Sequence, residues 1–221
     1  MKIPQVKRNR DGFTLMEVLV LICIICILVA FFLANYSPTP RPNMISCINN
    51  QRQIALSFIM WQTDNTNQFP WQISATNGGS MEDAIHGNAA ANFRAVGAYV
   101  RVPQVFICPD DKVKVMPTNV ATMSNANVSY FAGLDFNTNA AACILSGDRH
   151  LKVGETPVHP GFFVYTNGLA MGWTRELHGK SPKTAMGVVS FYDGHAELVV
   201  DARMDSVFNH AGLMTSRFDV P

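Results

Sequence analysis

From Val18 to Ala34 the chain carries no charged or strongly polar side chain. A stretch like this can only be stable where its whole surface is kept from water. Extended back to Phe13 it is 22 residues long, and as a helix it would span roughly 33 Å against a hydrocarbon core of about 30 Å. The run therefore predicts a membrane-crossing helix over 13–34. Lys2, Lys7, Arg8 and Arg10 precede it, and basic residues on that side place the N-terminus in the cytoplasm. A cleaved secretory signal would be shorter and end in small residues, whereas here Asn35-Tyr36-Ser37-Pro38 follows. Glu17 lies near the start of the run, where an uncompensated carboxylate is costly: about 2.5–3.5 kcal/mol at mid-helix and less near the edge.

Charge separates the first residues from the rest. The 221-residue chain has 17 basic and 16 acidic residues, a net charge of +1. Without residues 1–12 the balance becomes −2, so the basic character belongs to a leader. No basic stripe follows it, which argues against nucleic acid as a partner. Apolar residues make up 48% of the chain, enough for a core in one modest domain.

Three prolines within "NYSPTPRP" (35–42) break the first helix near Pro38. Beyond them Met44, Ile48, Ala55 and Phe58 fall near heptad spacing, widened by Ile45, Leu56 and Ile59, and predict a helix of about five turns. Asn43 is placed to cap its start, and "DNTNQFP" ends it. Residues 81–100 read as a second helix weakened by Gly87 and Gly97. Residues 104–111 read as a short strand running into a turn, and 128–136 and 141–148 as strands of a small sheet. Residues 149–183 read as a long loop with a partial strand at 162–165. Two β-rich runs flank Asp193-Gly194, a dipeptide suited to a type I′ hairpin turn. The segment after residue 200 reads as a short terminal helix.

The nonapeptide Gly12-Phe13-Thr14-Leu15-Met16-Glu17-Val18-Leu19-Val20 resembles the leader junction of type IV prepilins and type II secretion pseudopilins. The resemblance implies cleavage after Gly12 by a membrane prepilin peptidase, methylation of the new amine on Phe13, and pairing of Glu17 with the amine of a neighbouring subunit. Two charges stranded in apolar surroundings gain far more from such pairing than exposed ions do. The Pro cluster departs from the continuous stem of pilins. Cys47, Asn49, Asn50, Gln53 and Ile54, with a later Cys-Pro pair at Cys108-Pro109, are similar to prepilin-like proteins of planctomycetes and related bacteria. Their C-terminal signature, a His about ten residues before Asp-Gly, corresponds to His178, Asp193 and Gly194, with fourteen residues intervening here.

Cys23 and Cys26 lie in the apolar run and read as small hydrophobes. Cys47, Cys108 and Cys143 would face an oxidising compartment, where one pair can form; Cys47–Cys108 is preferred, with Cys108–Cys143 as the rival. His86, His150, His159, His178, His195 and His210 show no close spacing to a second zinc ligand. By resemblance to pseudopilins that bind Ca²⁺, Asp135, Asp148 and Asp193 are hard-oxygen candidates, without the spacing of an EF-hand. No nucleophile elbow, phosphate loop or zinc-protease motif occurs.

The expected fold is thus α+β and pilin-like: a long N-terminal transmembrane helix, interrupted near Pro38, packed on a small antiparallel sheet with the Asp193-Gly194 hairpin at or near its centre. The expected organisation is a leader (1–12), an assembly helix (13–34), a Pro-rich break (35–42) and a periplasmic head (43–221). The expected role is a structural subunit rather than an enzyme, single-pass in the inner membrane, without a required cofactor. Its implied partners are the prepilin peptidase and methyltransferase, other pseudopilin subunits, an assembly platform and the lipid bilayer. The alternative is a tethered binding or metal-dependent module built on His178, Asp193 and His195.

Overall fold

The computed structural model of the protein describes residues 12, 14–34, 42–135, 143–178, 185–210 and 215–221. The chain divides into two compact units, Met1–Pro40 and Arg41–Pro221. In the first, helix α1 covers Leu15–Ala34. Its start is fixed by a reciprocal cap. The Thr14 amide and hydroxyl donate to Glu17 Oε2 at 2.8 and 3.0 Å, and the Glu17 amide donates to Thr14 Oγ1 at 3.3 Å. This is the Thr-x-x-Glu capping box, which satisfies amide donors that a helix start leaves free.

The expectation of a membrane-crossing helix is corrected here. Among the described residues no helix is long and apolar enough to cross a membrane. α1 begins at Leu15 rather than at Phe13 and covers 20 residues, against the 22 expected over 13–34. The break expected near Pro38 lies outside the described residues.

The second unit begins with helix α2, Pro42–Asp64. Proline is well suited to a first helical position, where its missing amide hydrogen costs nothing. Met44, Cys47, Gln51, Ile54, Ala55, Phe58 and Trp61 are buried at steps of three and four, one face of the helix. Ile45 and Leu56 do not widen this face; they are 45% and 50% exposed. Residues 81–100 form two short helices, α3 (Met81–Ala84) and α4 (Ala89–Ala95), and a 3-10 turn at Val96–Tyr99. Gly87, with φ +76°, separates α3 from α4. The strand expected at 104–111 is instead a 3-10 turn, Pro103–Phe106, opened by its proline.

The strands are β1 (Tyr130–Gly133), β2 (Ile144–Asp148), β3 (Leu151–Val153), β4 (Thr156–Pro157), β5 (Gly161–Thr166), β6 (Met171–Trp173), β7 (Met186–Phe191), β8 (Ala196–Val200) and β9 (Thr215–Val220), with helix α5 at Asp201–His210. Six of them make one sheet in the order β5-β9-β1-β2-β7-β8, and β4-β3-β6 make a second. Every recorded pairing is antiparallel. The fold class is α+β with an antiparallel sheet. The β7–β8 hairpin lies at an edge rather than near the centre, because β8 pairs with β7 alone among the described strands.

Side-chain alternation builds two cores on the large sheet. Tyr130, Ala132, Leu145 and Val188 pack with Ile54 and Phe58 of α2, Phe93 of α4 and Phe106. Their neighbours Phe131, Ile144 and Val189 pack on the other face with Met204, Val207 and Phe208 of α5 and with Trp173 of the small sheet. This is the period of two that a strand imposes. The large sheet is thereby covered on both faces, and its central strands are buried throughout.

Candidate functional site

Four side chains far apart in sequence converge beneath α2. Cys47 comes from the buried face of α2, and Cys108 from the bend after the Pro103–Phe106 turn. Asp148 ends β2. His178, at φ +35°, closes the segment after β6. One potential ligand atom from each lies within 4.8 Å of all the others, and all four residues are buried. Cys47 Sγ donates to Asp148 Oδ1 at 3.3 Å. His178 Nε2 stands 3.3 Å from Asp148 Oδ2 and 3.4 Å from Cys108 Sγ.

The surrounding sequence fixes these positions. Asn50, one turn on from Cys47, donates to the Ile107 carbonyl at 3.1 Å and pins the Cys108 segment to α2. The Ser129 amide donates to the Phe106 carbonyl at 2.9 Å, and the Asp111 amide to the Cys108 carbonyl at 2.9 Å. Arg149 holds Asp111 through two bonds of 2.8 and 3.1 Å. The Val188 amide donates to Asp148 Oδ2 at 2.7 Å, tying the carboxylate to β7. His178 Nδ1 lies 2.9 Å from Asp110 Oδ2, and Asn43 donates to Asp110 Oδ1 at 2.7 Å. The ring is therefore held from its outer nitrogen, and Nε2 is the atom turned toward the cluster.

Electrostatics follow from burial and pairing. Burial disfavours a charged His178, yet bonds to Asp148 and Cys108 outweigh it and push its pKa up to about 11. Burial pushes the Cys47 thiol well up. Cys108 is held below its ordinary value, first by its bond with Cys47 and also by His178, against the pull of burial. For Asp110, burial works in the opposite direction, but Asn43 and His178 hold its carboxyl below the usual range.

A thiol, an imidazole and a carboxylate in the order Cys108, His178, Asp110 also match the grouping that activates a thiol nucleophile. Cys108 and the His178 side chain are both 0% exposed.

The sequence-selected residues separate into three places. Gly12 is exposed, with no atom within 4 Å of where a Cβ would stand. Phe13 lies outside the described residues, and Glu17 caps α1. Cys47, Cys108 and His178 meet in the buried cluster; Cys47 and Cys108 are free thiols there. Cys143 is at the other end of β2, five residues and about 16 Å from Asp148, so the Cys108–Cys143 pairing is not brought together.

Asp193, Gly194 and His195 form the β7–β8 turn. His195 stacks on Phe191, and its ring and amide both bond to Asp193 Oδ1. A Cβ on Gly194 would lie 3.3 Å from Leu56, and Leu56 is about 14 Å along α2 from Cys47. The Asp-Gly pair is thus a turn-former remote from His178. Asp135 pairs with Arg217, so the three aspartates considered for Ca²⁺ sit in three separate settings.

Successive members of the cluster stand 61, 40 and 30 residues apart along the chain, so no short ligand spacing marks the four as one group in the sequence. No family model, curated protein or solved structure matches this chain.

Proposed function

We propose that the chain is a prepilin-like structural subunit, cut after Gly12, methylated on the amine of Phe13 and assembled through α1 with other subunits of its kind. The observation that carries this reading is the surface of α1. Every described side chain from Leu15 to Ala30 is exposed, and Glu17 is the one charged group among them. A helix apolar on all sides requires an apolar cover. Like helices from neighbouring copies supply one, and a repeated head-to-tail contact of this sort grows into a filament of the type II secretion or type IV pilus kind. Exposed Gly12 agrees with access by a peptidase. In this reading the chain is acted on by the peptidase and methyltransferase and performs no chemistry itself. Assembly takes place at the inner membrane, on the platform that serves such filaments.

Glu17 has two roles to be separated, capping α1 and meeting a neighbour's amine. Glutamine preserves the capping box but not the charge. The test is cross-linking of the full chain, co-produced with a prepilin peptidase, as wild type, Glu17→Gln and Glu17→Ala. Removing one member of an ion pair shielded from water costs about 3–5 kcal/mol, so both variants are expected to lose the multimer ladder. Wild-type assembly by Glu17→Gln would reduce Glu17 to a cap and remove the pairing step.

A further inference from the structure

The geometry points to a structural zinc site formed by Cys47, Cys108, Asp148 and His178, clamping α2 to the sheet beneath it. A tetrahedral zinc, with sulfur at about 2.3 Å and nitrogen or oxygen at about 2.0–2.2 Å, needs its ligand atoms roughly 3.3–3.8 Å apart. The cluster already shows 3.3 Å from Cys47 Sγ to Asp148 Oδ1, 3.3 Å from His178 Nε2 to Asp148 Oδ2 and 3.4 Å from His178 Nε2 to Cys108 Sγ. The two short contacts of Asp148 use different carboxylate oxygens, and with one ligand atom from each residue the four lie within 4.8 Å of one another, so the widest separation has to close by about 1 Å to form a coordination shell.

The chemistry of the donors selects the metal. Two sulfurs, an imidazole nitrogen and one carboxylate oxygen suit zinc, whereas calcium takes six to eight oxygens. Four protein donors fill a tetrahedron, and the Asp148 and His178 side chains are both 0% exposed. A closed shell of this kind holds structure together rather than activating water.

The outer contacts match as well. A metal-binding histidine usually donates its second ring hydrogen to a carboxylate, and His178 Nδ1 has Asp110 at 2.9 Å in that place. Tyr130 Oη lies 3.6 Å from Cys47 Sγ, and the Val188 amide orients Asp148. A disulfide between Cys47 and Cys108 would use the two sulfurs alone and give Asp148 and His178 no reason to face them. Zinc would displace the thiol protons and the Nε2 proton, so loading releases acid.

The test uses the full chain purified without chelators. Elemental analysis is expected to find one zinc per chain. After exchange into Co²⁺, the spectrum is expected to show thiolate-to-cobalt charge transfer and the d–d bands of a tetrahedral site. Asp110→Asn keeps all four ligands and should fold, binding zinc about 10–100-fold more weakly. Cys143→Ser should leave the metal content unchanged. If Cys47→Ser does not fold, the cobalt spectrum of the unaltered chain still decides. A Cys47–Cys108 disulfide in unreduced peptides, calcium in place of zinc, or folded protein with both thiols free and no zinc taken up each overturn the site.

Discussion

Asp219, in β9, is 0% exposed. Its Oδ2 accepts from Asn92 Nδ2 at 3.1 Å, while Oδ1 has no hydrogen-bond partner among the described residues. Burial pushes its pKa up to about 7, with Asp83 adding to the rise and Asn92 opposing it. An unfolded aspartate titrates near 3.9. Between about pH 4 and 7 the folded protein therefore keeps a proton that the unfolded chain has released. The contribution of this group is fully present below about pH 4 and lost as pH rises through about 7. Over that window it amounts to about 4 kcal/mol. Asp219→Asn keeps the shape and removes the titration. It is expected to stabilise the protein at pH 8 by about 2–4 kcal/mol, and to flatten the fall in urea midpoint between pH 4 and 7. A variant with the same pH dependence as wild type would contradict the assignment.

The β7–β8 hairpin shows what an element owes to its sequence. Its existence was legible in two β-rich runs around Asp193-Gly194, but its turn type was not. A type I′ turn needs positive φ at both central residues, and here Gly194 alone has it, at +83°. The Gly194 amide donates to the Phe191 carbonyl at 3.0 Å and the Phe191 amide to the His195 carbonyl at 3.0 Å. That is a three-residue loop with a left-handed glycine bulge. Gly194→Ala forces a Cβ into a left-handed backbone beside Leu56, so unfolding in urea should show a loss of about 1–2 kcal/mol. An unchanged midpoint would contradict this account of the turn.

Other elements follow the same logic. α2 was legible because its apolar spacing persists over about five turns. Its burial of Gln51 was not, because the bond from Ser190 Oγ at 3.1 Å comes from 139 residues away. The cap of α1 was present in Thr14-Leu15-Met16-Glu17, but resemblance drew attention to a different role for the same acid. β3, β4 and β6 are two or three residues long, too short to show a period. β9 follows an unexpected return of the chain and takes its place through pairing with β5 and β1.

On the scale of the molecule, the two units answer to different physics. The second is a two-faced sheet whose cores are complete, with the four-residue cluster joining α2, the Cys108 bend, β2 and His178. Of this cluster only the nearness of Cys47 and Cys108 was anticipated in the sequence, and folding brings Asp148 and His178 to them. The first unit is an apolar helix whose described surface is open, and its meaning lies in what happens to the residues before it. The account depends on a new amine being made at Phe13, since Glu17 otherwise has no neighbouring cation of this origin to meet. Intact-mass and N-terminal peptide spectrometry of the protein recovered from cells that make it naturally is the most direct measurement. The account predicts a chain beginning at N-methylated Phe13, lacking residues 1–12. A chain that still begins at Met1 would contradict it.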